Sequence, residues 1–138
     1  NDANLIRTAR EVNDSKPSFV LNKLHQIIEE IGADISELSI ACLGLSFKAD
    51  IDDLRESPAL EIVSSVSLMN FNKIYLVEPN INKIPKEFVN ENIELVELKL
   101  ALKSSEIVLL LVDHSPFKLI DLGLLSDKKL LDTRGIWS

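Results

Sequence analysis

One short segment, Ile107–Val112 (IVLLLV), limits what this chain can fold into more than any other. It is apolar throughout, yet far shorter than the roughly 20 apolar residues that cross a bilayer. A strand with no polar alternation has to be covered on both faces, as happens in a parallel sheet between two layers of helices. The segment therefore predicts an α/β protein.

Strand and helix patterns alternate along the rest of the chain. Further strands are predicted at residues 38–47, 73–78, 93–98 and 129–132, with helical segments between them. Parallel strands need crossover connections, so this order predicts a Rossmann-like, doubly wound parallel sheet with helices on both faces. Two helical runs before the first strand, residues 3–13 and 20–31, are separated at Pro17 and predict a long or kinked N-terminal helix.

Composition excludes several classes of function. The 15 Lys and Arg against 22 Asp and Glu give a net charge of −7, which disfavours nucleic acid as a partner because phosphate neutralisation needs the opposite sign. No segment has the pattern of a membrane span or a signal peptide. The single cysteine, Cys42, excludes an internal disulfide and fits a cytoplasmic protein. The chain starts with Asn rather than Met, so we expect a piece of a longer protein.

Basic side chains follow the predicted strands in this acidic chain. Lys48 and Arg55 come after the first strand and Arg134 after the last, while Ser57-Pro58 has the sequence of a helix start. Because ligands in such sheets bind beyond the carboxyl ends of the strands, these residues predict an anion site, most plausibly for phosphate. The alternative, ordinary surface charge, stays open at this point.

The first strand turn lacks the glycines of a dinucleotide-binding fingerprint. It contains Gly44 alone, whereas the fingerprint needs three glycines so that the backbone can approach a pyrophosphate. The sheet is therefore not expected to cradle NAD in the usual way.

Two other polar features have open interpretations. His114 lies at a strand end beside Asp113, where it is either a site residue or a structural one. The acidic residues Asp50, Asp52 and Asp53 match no calcium-loop spacing. We expect them to solvate a loop or to pair with a nearby cation, and no metal site is predicted.

Three motifs, in the same order along the chain, carry a resemblance to a known family. Residues 41–59 (ACLGLSFKADIDDLRESPA) strongly resemble the C-terminal domain of the UDP-glucose/GDP-mannose dehydrogenase family. Residues 6–14 (IRTAREVND) are similar to the helix that leads from its central domain, and residues 131–137 (LDTRGIW) are similar to its C-terminal signature. The resemblance implies a connecting helix over residues 1–34 and a UDP-sugar-binding domain over residues 35–138.

The resemblance also implies roles for particular residues. Family enzymes oxidise the C6 alcohol of a UDP-sugar to a carboxylate in two hydride transfers, using two NAD⁺. Phe47, Lys48 and Arg134 are implied to hold the UDP. Arg55 is implied to reach toward an NAD that is bound mainly by a separate N-terminal domain. Within the family the motifs are most similar to members that oxidise UDP-N-acetyl-D-mannosamine for envelope polysaccharide synthesis, and such a parent is expected to be a cytoplasmic homodimer.

The same resemblance implies that this chain holds no catalytic residue. The nucleophilic cysteine of the family belongs to a separate motif that this sequence lacks, and Cys42 lies in a different motif. We therefore expect Cys42 to pack in the core and the isolated chain to be inactive.

Two alternatives from other functional classes remain open. One is a stand-alone flavodoxin-like or receiver-like interaction module, suggested by the acidic cluster after the first strand, although Arg134 stands where a receiver has a lysine. The other is a structural dimerisation fragment, suggested by the apolar helical face of residues 20–31.

Overall fold

The computed structural model describes residues 16–46, 50, 54 and 57–137. Its helices are α1 (Pro17–Ile31), α2 (Pro58–Ser67), α3 (Leu98–Ser104) and α4 (Ser115–Lys118). Its strands are β1 (Ser39–Leu43), β2 (Lys73–Val77), β3 (Ile93–Leu95), β4 (Ile107–Leu110) and β5 (Lys129–Asp132). Three short 3-10 turns, Ile35–Glu37, Lys86–Phe88 and Leu122–Leu125, complete the described elements.

The five strands form one parallel sheet in the order β3-β2-β1-β4-β5. The chain runs outward from β1 to β3, then returns to the other side of β1 and runs outward to β5. The order therefore reverses between β1 and β4, which is where ligands bind in open parallel sheets. The predicted doubly wound α/β fold is confirmed.

Several predicted boundaries need correction. The first strand ends at Leu43 rather than at residue 47, because Gly44 adopts a φ of +96° that turns the chain out of the sheet. The third strand stops at Leu95, and Leu98 already begins α3. Between β4 and β5, where the sequence predicts a helical segment, the chain forms the short helix α4 followed by a separate 3-10 turn.

Apolar side chains cover both faces of the sheet, as the all-apolar β4 predicted. Along β4, Ile107 and Leu109 face one cluster, which includes the buried side of α1 and α2. Val108 and Leu110 face the other cluster, which contains α3 and α4. This alternation buries every residue of β1 and β4 and fixes the register of the central strands, since a one-residue slip would exchange the two faces.

Helix α1 packs on this same domain. Its apolar face is buried in the first cluster through Val20, Leu24 and Ile27, so the face that suggested a dimerisation fragment already has a partner within the chain. The helix ends at Gly32, which adopts the left-handed conformation and donates its amide to Ile28 O. The helix predicted at residues 3–13 lies outside the described residues, while α1 begins at the predicted break, Pro17, after an extended Lys16 and does not continue through that residue.

Cys42 has the packing role expected of it, and Trp137 is buried as well. Cys42 is fully buried in β1, and burial raises the pKa of its thiol to about 12. A thiol this hard to ionise is a poor nucleophile. Trp137 is buried against the second cluster and donates its indole N–H to Phe117 O at 3.0 Å.

A close backbone approach makes glycine necessary at position 44. A Cβ built there would lie 2.6 Å from Val112 Cβ and 2.9 Å from Val112 N. The end of β1 therefore touches the segment after β4 directly, and this contact sets how near the two strand ends can come.

We expect Gly44→Ala to lower the free energy of unfolding of the chain by about 3 kcal/mol or more, because it combines left-handed strain with a steric clash. Urea unfolding checks the change. Gly32→Ala is the matched control, since Gly32 has a φ of +77° but nothing within 4 Å of the added Cβ, and it should cost only about 1 kcal/mol. Equal losses in the two variants would contradict the argument from close approach.

Candidate functional site

The carboxyl edge of the sheet is where the sequence predicted an anion site. Of the four residues expected there, Arg134 is described and lies at this edge. Phe47, Lys48 and Arg55 lie outside the described residues. The site can be built from Arg134 and from the described residues that flank the other three.

Arg134 is held by the turn that follows β5. The carboxylate of Asp132 accepts hydrogen bonds from the backbone amides of Arg134, Gly135 and Trp137 at 2.7–3.0 Å. The Nε of Arg134 donates to Leu111 O at 3.1 Å, and the residue remains exposed. The arginine is therefore fixed at its base beside the end of β4, with guanidinium surface left toward solvent.

The loop between β1 and α2 is anchored at its described residues. At its ends, the Ser57 hydroxyl donates to Ser46 O at 3.1 Å and accepts from the amide of Ala59 as the N-cap of α2. Leu54 packs against the first apolar cluster. The loop that carries three of the four predicted site residues is thus tied down on both sides of them.

Glu78, directly after β2, is the centre of the hydrogen-bond network at this edge. Its Oε1 accepts from the amides of Leu45 and Ser46 at 2.8 and 3.1 Å and lies 2.8 Å from His114 Nε2. Its Oε2 accepts from the amide and the side chain of Asn80, both at 3.0 Å. One buried carboxylate thereby joins the ends of β1, β2 and β4.

The ionised form of Glu78 is favoured despite its burial. Burial by itself raises the pKa of a carboxyl group, but the hydrogen bonds from the imidazole and from backbone amides outweigh it. The pKa of Glu78 is lowered from its ordinary value of 4.5.

The neutral imidazole of His114 fills the space between this carboxylate and the loop. The ring is fully buried and lies 5.5 Å from the Phe117 ring. Its Nδ1 is 2.8 Å from the amide nitrogen of Asp50. Since a backbone amide can only donate, Nδ1 must be the acceptor, and we assign the proton to Nε2, which donates to Glu78.

Asp50 is bound on a second side by Ser115. Its carboxylate accepts from the amide of Ser115 at 2.8 Å and from the hydroxyl at 2.7 Å, and these bonds lower the pKa of Asp50. Asp50 has a φ of +61°, a left-handed conformation that needs local support in a residue with a Cβ. The acidic residue expected to solvate the loop therefore holds it to the segment after β4.

The segment 111–115 after β4 is where these parts meet. The carbonyl of Leu111 accepts a hydrogen bond from Arg134. His114 accepts one from the amide of Asp50, and the amide of Ser115 donates one to the Asp50 carboxylate. The loop after β1 and the turn after β5 thus lie against the same five residues, as expected for strand ends at a topological switch point.

The backbone amides at the end of β1 are already used. The amides of Leu45 and Ser46 donate to Glu78, and that of Gly44 donates to Val77 O at 2.8 Å. In a dinucleotide fold this turn offers its amides to a pyrophosphate. The amides of Gly44, Leu45 and Ser46 are therefore not available to a pyrophosphate in that way.

Two cavities border the described part of the sheet. One, of about 470 Å³, lies beside Glu78 at the ends of β2 and β3 and is walled mainly by apolar residues such as Val96 and Phe117. The other, of about 390 Å³, lies at the amino ends of β4 and β5 and is lined by three lysines, Lys99, Lys103 and Lys128. The second cavity is a rival location for an anion.

Neither a metal cluster nor a spanning helix is found in the described residues. Over residues 16–46, 50, 54 and 57–137, no three His, Cys, Asp or Glu side chains are grouped so that they could hold a metal ion. No described helix is long and apolar enough to cross a membrane.

Sequence reasoning missed the residues that build the edge. No role was predicted for Glu78, Asn80 or Ser115. The available signal was an acidic residue directly after the apolar strand β2, a position that is buried in a parallel sheet and requires partners.

Comparisons with known proteins give a consistent result. Residues 41–138 match the model of the UDP-glucose/GDP-mannose dehydrogenase family, UDP binding domain. The chain is 47% identical over 136 residues to an NDP-N-acetyl-D-galactosaminuronic acid dehydrogenase of Ralstonia solanacearum, covering 99% of this chain and 31% of that protein. It is 51% identical over 118 residues to a UDP-N-acetyl-D-mannosamine dehydrogenase of Campylobacter jejuni, covering 85% of this chain and 28% of that protein.

A solved structure agrees with these sequences. The UDP-N-acetyl-mannosamine dehydrogenase of S. aureus superposes with a TM-score of 0.66 at 27% identity, covering 91% of this chain and 28% of that one. The chain thus spans about a third of the length of the curated relatives it matches.

Substitution of Glu78 tests the network. We expect Glu78→Gln to lower the free energy of unfolding at neutral pH by about 2–4 kcal/mol, because its amide nitrogen would face N–H donors in either orientation. Since folding lowers the pKa of Glu78, its contribution is complete above the ordinary value of 4.5 and is lost as the pH falls through the lowered value.

The variant should therefore lose less stability than the unsubstituted chain as the pH falls below the ordinary value of 4.5, as measured by urea unfolding at each pH. Glu94→Gln is the control, because Glu94 is exposed and meets only Lys73 at 3.8 Å among the described contacts. Parallel pH profiles for Glu78→Gln and the unsubstituted chain would contradict the central role of this carboxylate.

Proposed function

This chain belongs to the UDP-glucose/GDP-mannose dehydrogenase family, and we propose that it supplies the UDP-binding wall of an NAD-dependent UDP-sugar 6-dehydrogenase. In this proposal Lys48 and Arg134 bind the diphosphate, and Phe47 packs against the nucleotide. The parent enzyme oxidises the C6 alcohol of the sugar to a carboxylate.

The observation that carries the proposal is the meeting of two loops at one edge. The turn that fixes Arg134 and the loop that contains Phe47 and Lys48 are both bonded to residues 111–115. Lys48 and Arg134 carry like charges, which repel each other, so their placement on two loops tied to one short segment supports a shared anion such as a diphosphate.

The chemistry assigned to this domain is positioning. A diphosphate keeps its charge while hydride leaves a distant carbon, so cations on it stabilise the ground state and the transition state alike. What they supply is orientation of the sugar in the cleft. The domain itself contributes no nucleophile or base, and we expect the chain alone to be inactive.

For the substrate we propose UDP-N-acetyl-D-mannosamine, within the wider class of N-acetylated UDP-hexosamines. The support is the relative from C. jejuni at 51% identity, whose name gives that substrate. The relative from R. solanacearum, at 47% identity, is named for a different N-acetylated sugar. The N-acetyl group is common to both names and is therefore the better supported part of the proposal.

NAD is proposed as the cofactor of the parent enzyme, where it supplies the hydride acceptor. Because the amides after β1 are bonded to Glu78 and Val77, this domain would contact NAD through a side chain rather than a backbone cradle. We propose Arg55 for that contact and a separate N-terminal domain for the remainder. The cytoplasmic homodimer is likewise a proposal for the whole enzyme.

A stand-alone receiver-like module is less well supported. Its attraction was the acidic cluster after β1, but the Asp50 carboxylate is engaged by both donors of Ser115. Asp52 and Asp53 lie outside the described residues. The family match over residues 41–138 favours the dehydrogenase interpretation.

Calorimetric titration with UDP tests the anion site in the full-length enzyme. We expect Lys48→Ala and Arg134→Ala each to weaken UDP binding by about tenfold or more, because each removes a charge-assisted bond to phosphate. Lys103→Ala is the matched control and should leave UDP affinity unchanged. If Lys103→Ala weakens binding and the other two variants do not, the lysine-lined cavity is the site instead.

A separate measurement tests the role of Arg55. In the full-length enzyme, Arg55→Ala should raise the KM for NAD by about tenfold, because it removes a cation from the cofactor phosphates. UDP affinity should change much less. A collapse of UDP affinity with an unaltered KM for NAD would place Arg55 on the substrate instead.

A further inference from the structure

We propose that His114 is a positioning residue for UDP binding, acting through Asp50 at the middle of the loop between β1 and α2. The inference rests on the proposed function, since it assigns to a buried side chain the task of holding the loop that carries Lys48. His114 touches neither the proposed ligand nor the cofactor in this account.

The two ring nitrogens of His114 have separate tasks. On one side, Nε2–H donates to Glu78 Oε1 at 2.8 Å and lies 3.2 Å from Ser46 Oγ. On the other side, Nδ1 accepts from the amide of Asp50 at 2.8 Å, with Asn80 Nδ2 at 3.5 Å as a more distant donor. The first contact belongs to the buried network and the second to the loop.

The contact with Asp50 supports a left-handed backbone conformation at that residue. With a φ of +61°, Asp50 is in a region that most residues avoid, though aspartate tolerates it better than most. His114 holds its amide, and Ser115 holds its carboxylate. Lys48 is joined to Asp50 through two peptide bonds, so the anchor of Asp50 limits where the chain can carry that cation.

The competing explanation is that His114 is purely structural. Its fully buried ring packs beside Phe117 and pairs with a buried carboxylate, and either feature alone would account for a histidine there. The two explanations differ in which nitrogen matters for UDP. A structural role depends on Nε2 and the positioning role depends on Nδ1.

Substitution of His114 by asparagine or by glutamine tests the two ring nitrogens separately. Asparagine places Oδ1 the same number of bonds from Cα as Nδ1, so His114→Asn keeps an acceptor for Asp50 and loses the bond to Glu78. Glutamine places Nε2 at the bond distance of the imidazole Nε2, so His114→Gln keeps the donor to Glu78 and loses the acceptor for Asp50. Each variant therefore keeps one of the two hydrogen bonds and loses the other.

The experiment measures UDP affinity by calorimetry and thermal stability in the full-length enzyme. We expect His114→Gln to be the more stable variant, yet to bind UDP about tenfold more weakly than the unsubstituted enzyme. We expect His114→Asn to be the less stable variant, yet to bind UDP with an affinity within about threefold of that of the unsubstituted enzyme. Calorimetry distinguishes a tenfold change in affinity from a threefold one. If the less stable of the two variants is also the weaker binder of UDP, the inference is overturned.

A third variant keeps the test decisive if the histidine variants do not fold. Ser115→Ala removes an exposed hydroxyl that bonds to Asp50, so it loosens the same anchor without disturbing the buried network. It should weaken UDP binding by about fivefold or more, beyond the threefold limit set for His114→Asn, and an affinity within that limit would overturn the inference. Failure of the unsubstituted enzyme to bind UDP would instead overturn the proposed function, so the two failures are distinct.

Discussion

The carboxylate of Glu78 is the interaction on which the rest of this sheet edge depends. A buried charge without partners costs several kcal/mol, and this one is stabilised by three donors on Oε1 and two on Oε2. Those donors come from the residues after β1, β2 and β4. Satisfying one ion therefore brings three strand ends together, and the closest approach, between Gly44 and Val112, is possible only because one partner lacks a side chain.

A second carboxylate repeats this arrangement at the other side of the edge. Asp132 collects three amides of the turn after β5 and so presents Arg134 outward. In both places an acidic group faces inward to backbone donors while a basic group is carried on the loop that those donors belong to. Among the described residues of this edge, Glu78 and Asp132 are thus bonded to backbone amides, which is compatible with the proposed anion site in a chain of net charge −7.

Much of the fold could be predicted because its determinants are local. The apolar runs at 73–77, 107–110 and 129–132 specify strands within a few residues, and Ser57-Pro58 specifies a helix start. Arg134 was placed correctly for the same reason, since it follows a predictable strand. The hydrogen-bond network around Glu78 was not predictable. Glu78 bonds to Leu45 and His114, which lie 33 and 36 residues away from it in the sequence. The sequence shows an acidic residue after β2 but cannot show which donors will reach it.

The amides after β1 form hydrogen bonds within the protein, and this affects which ligands the edge can bind. A turn that offers backbone amides binds any pyrophosphate of suitable shape, because every residue type supplies the same N–H group. Here the amides of Gly44, Leu45 and Ser46 are bonded within the protein, and in the proposed anion site the ligand is held by side chains whose position the surrounding loops control. Recognition by placed cations is more demanding of geometry, since a charge displaced by an ångström loses its bidentate contact.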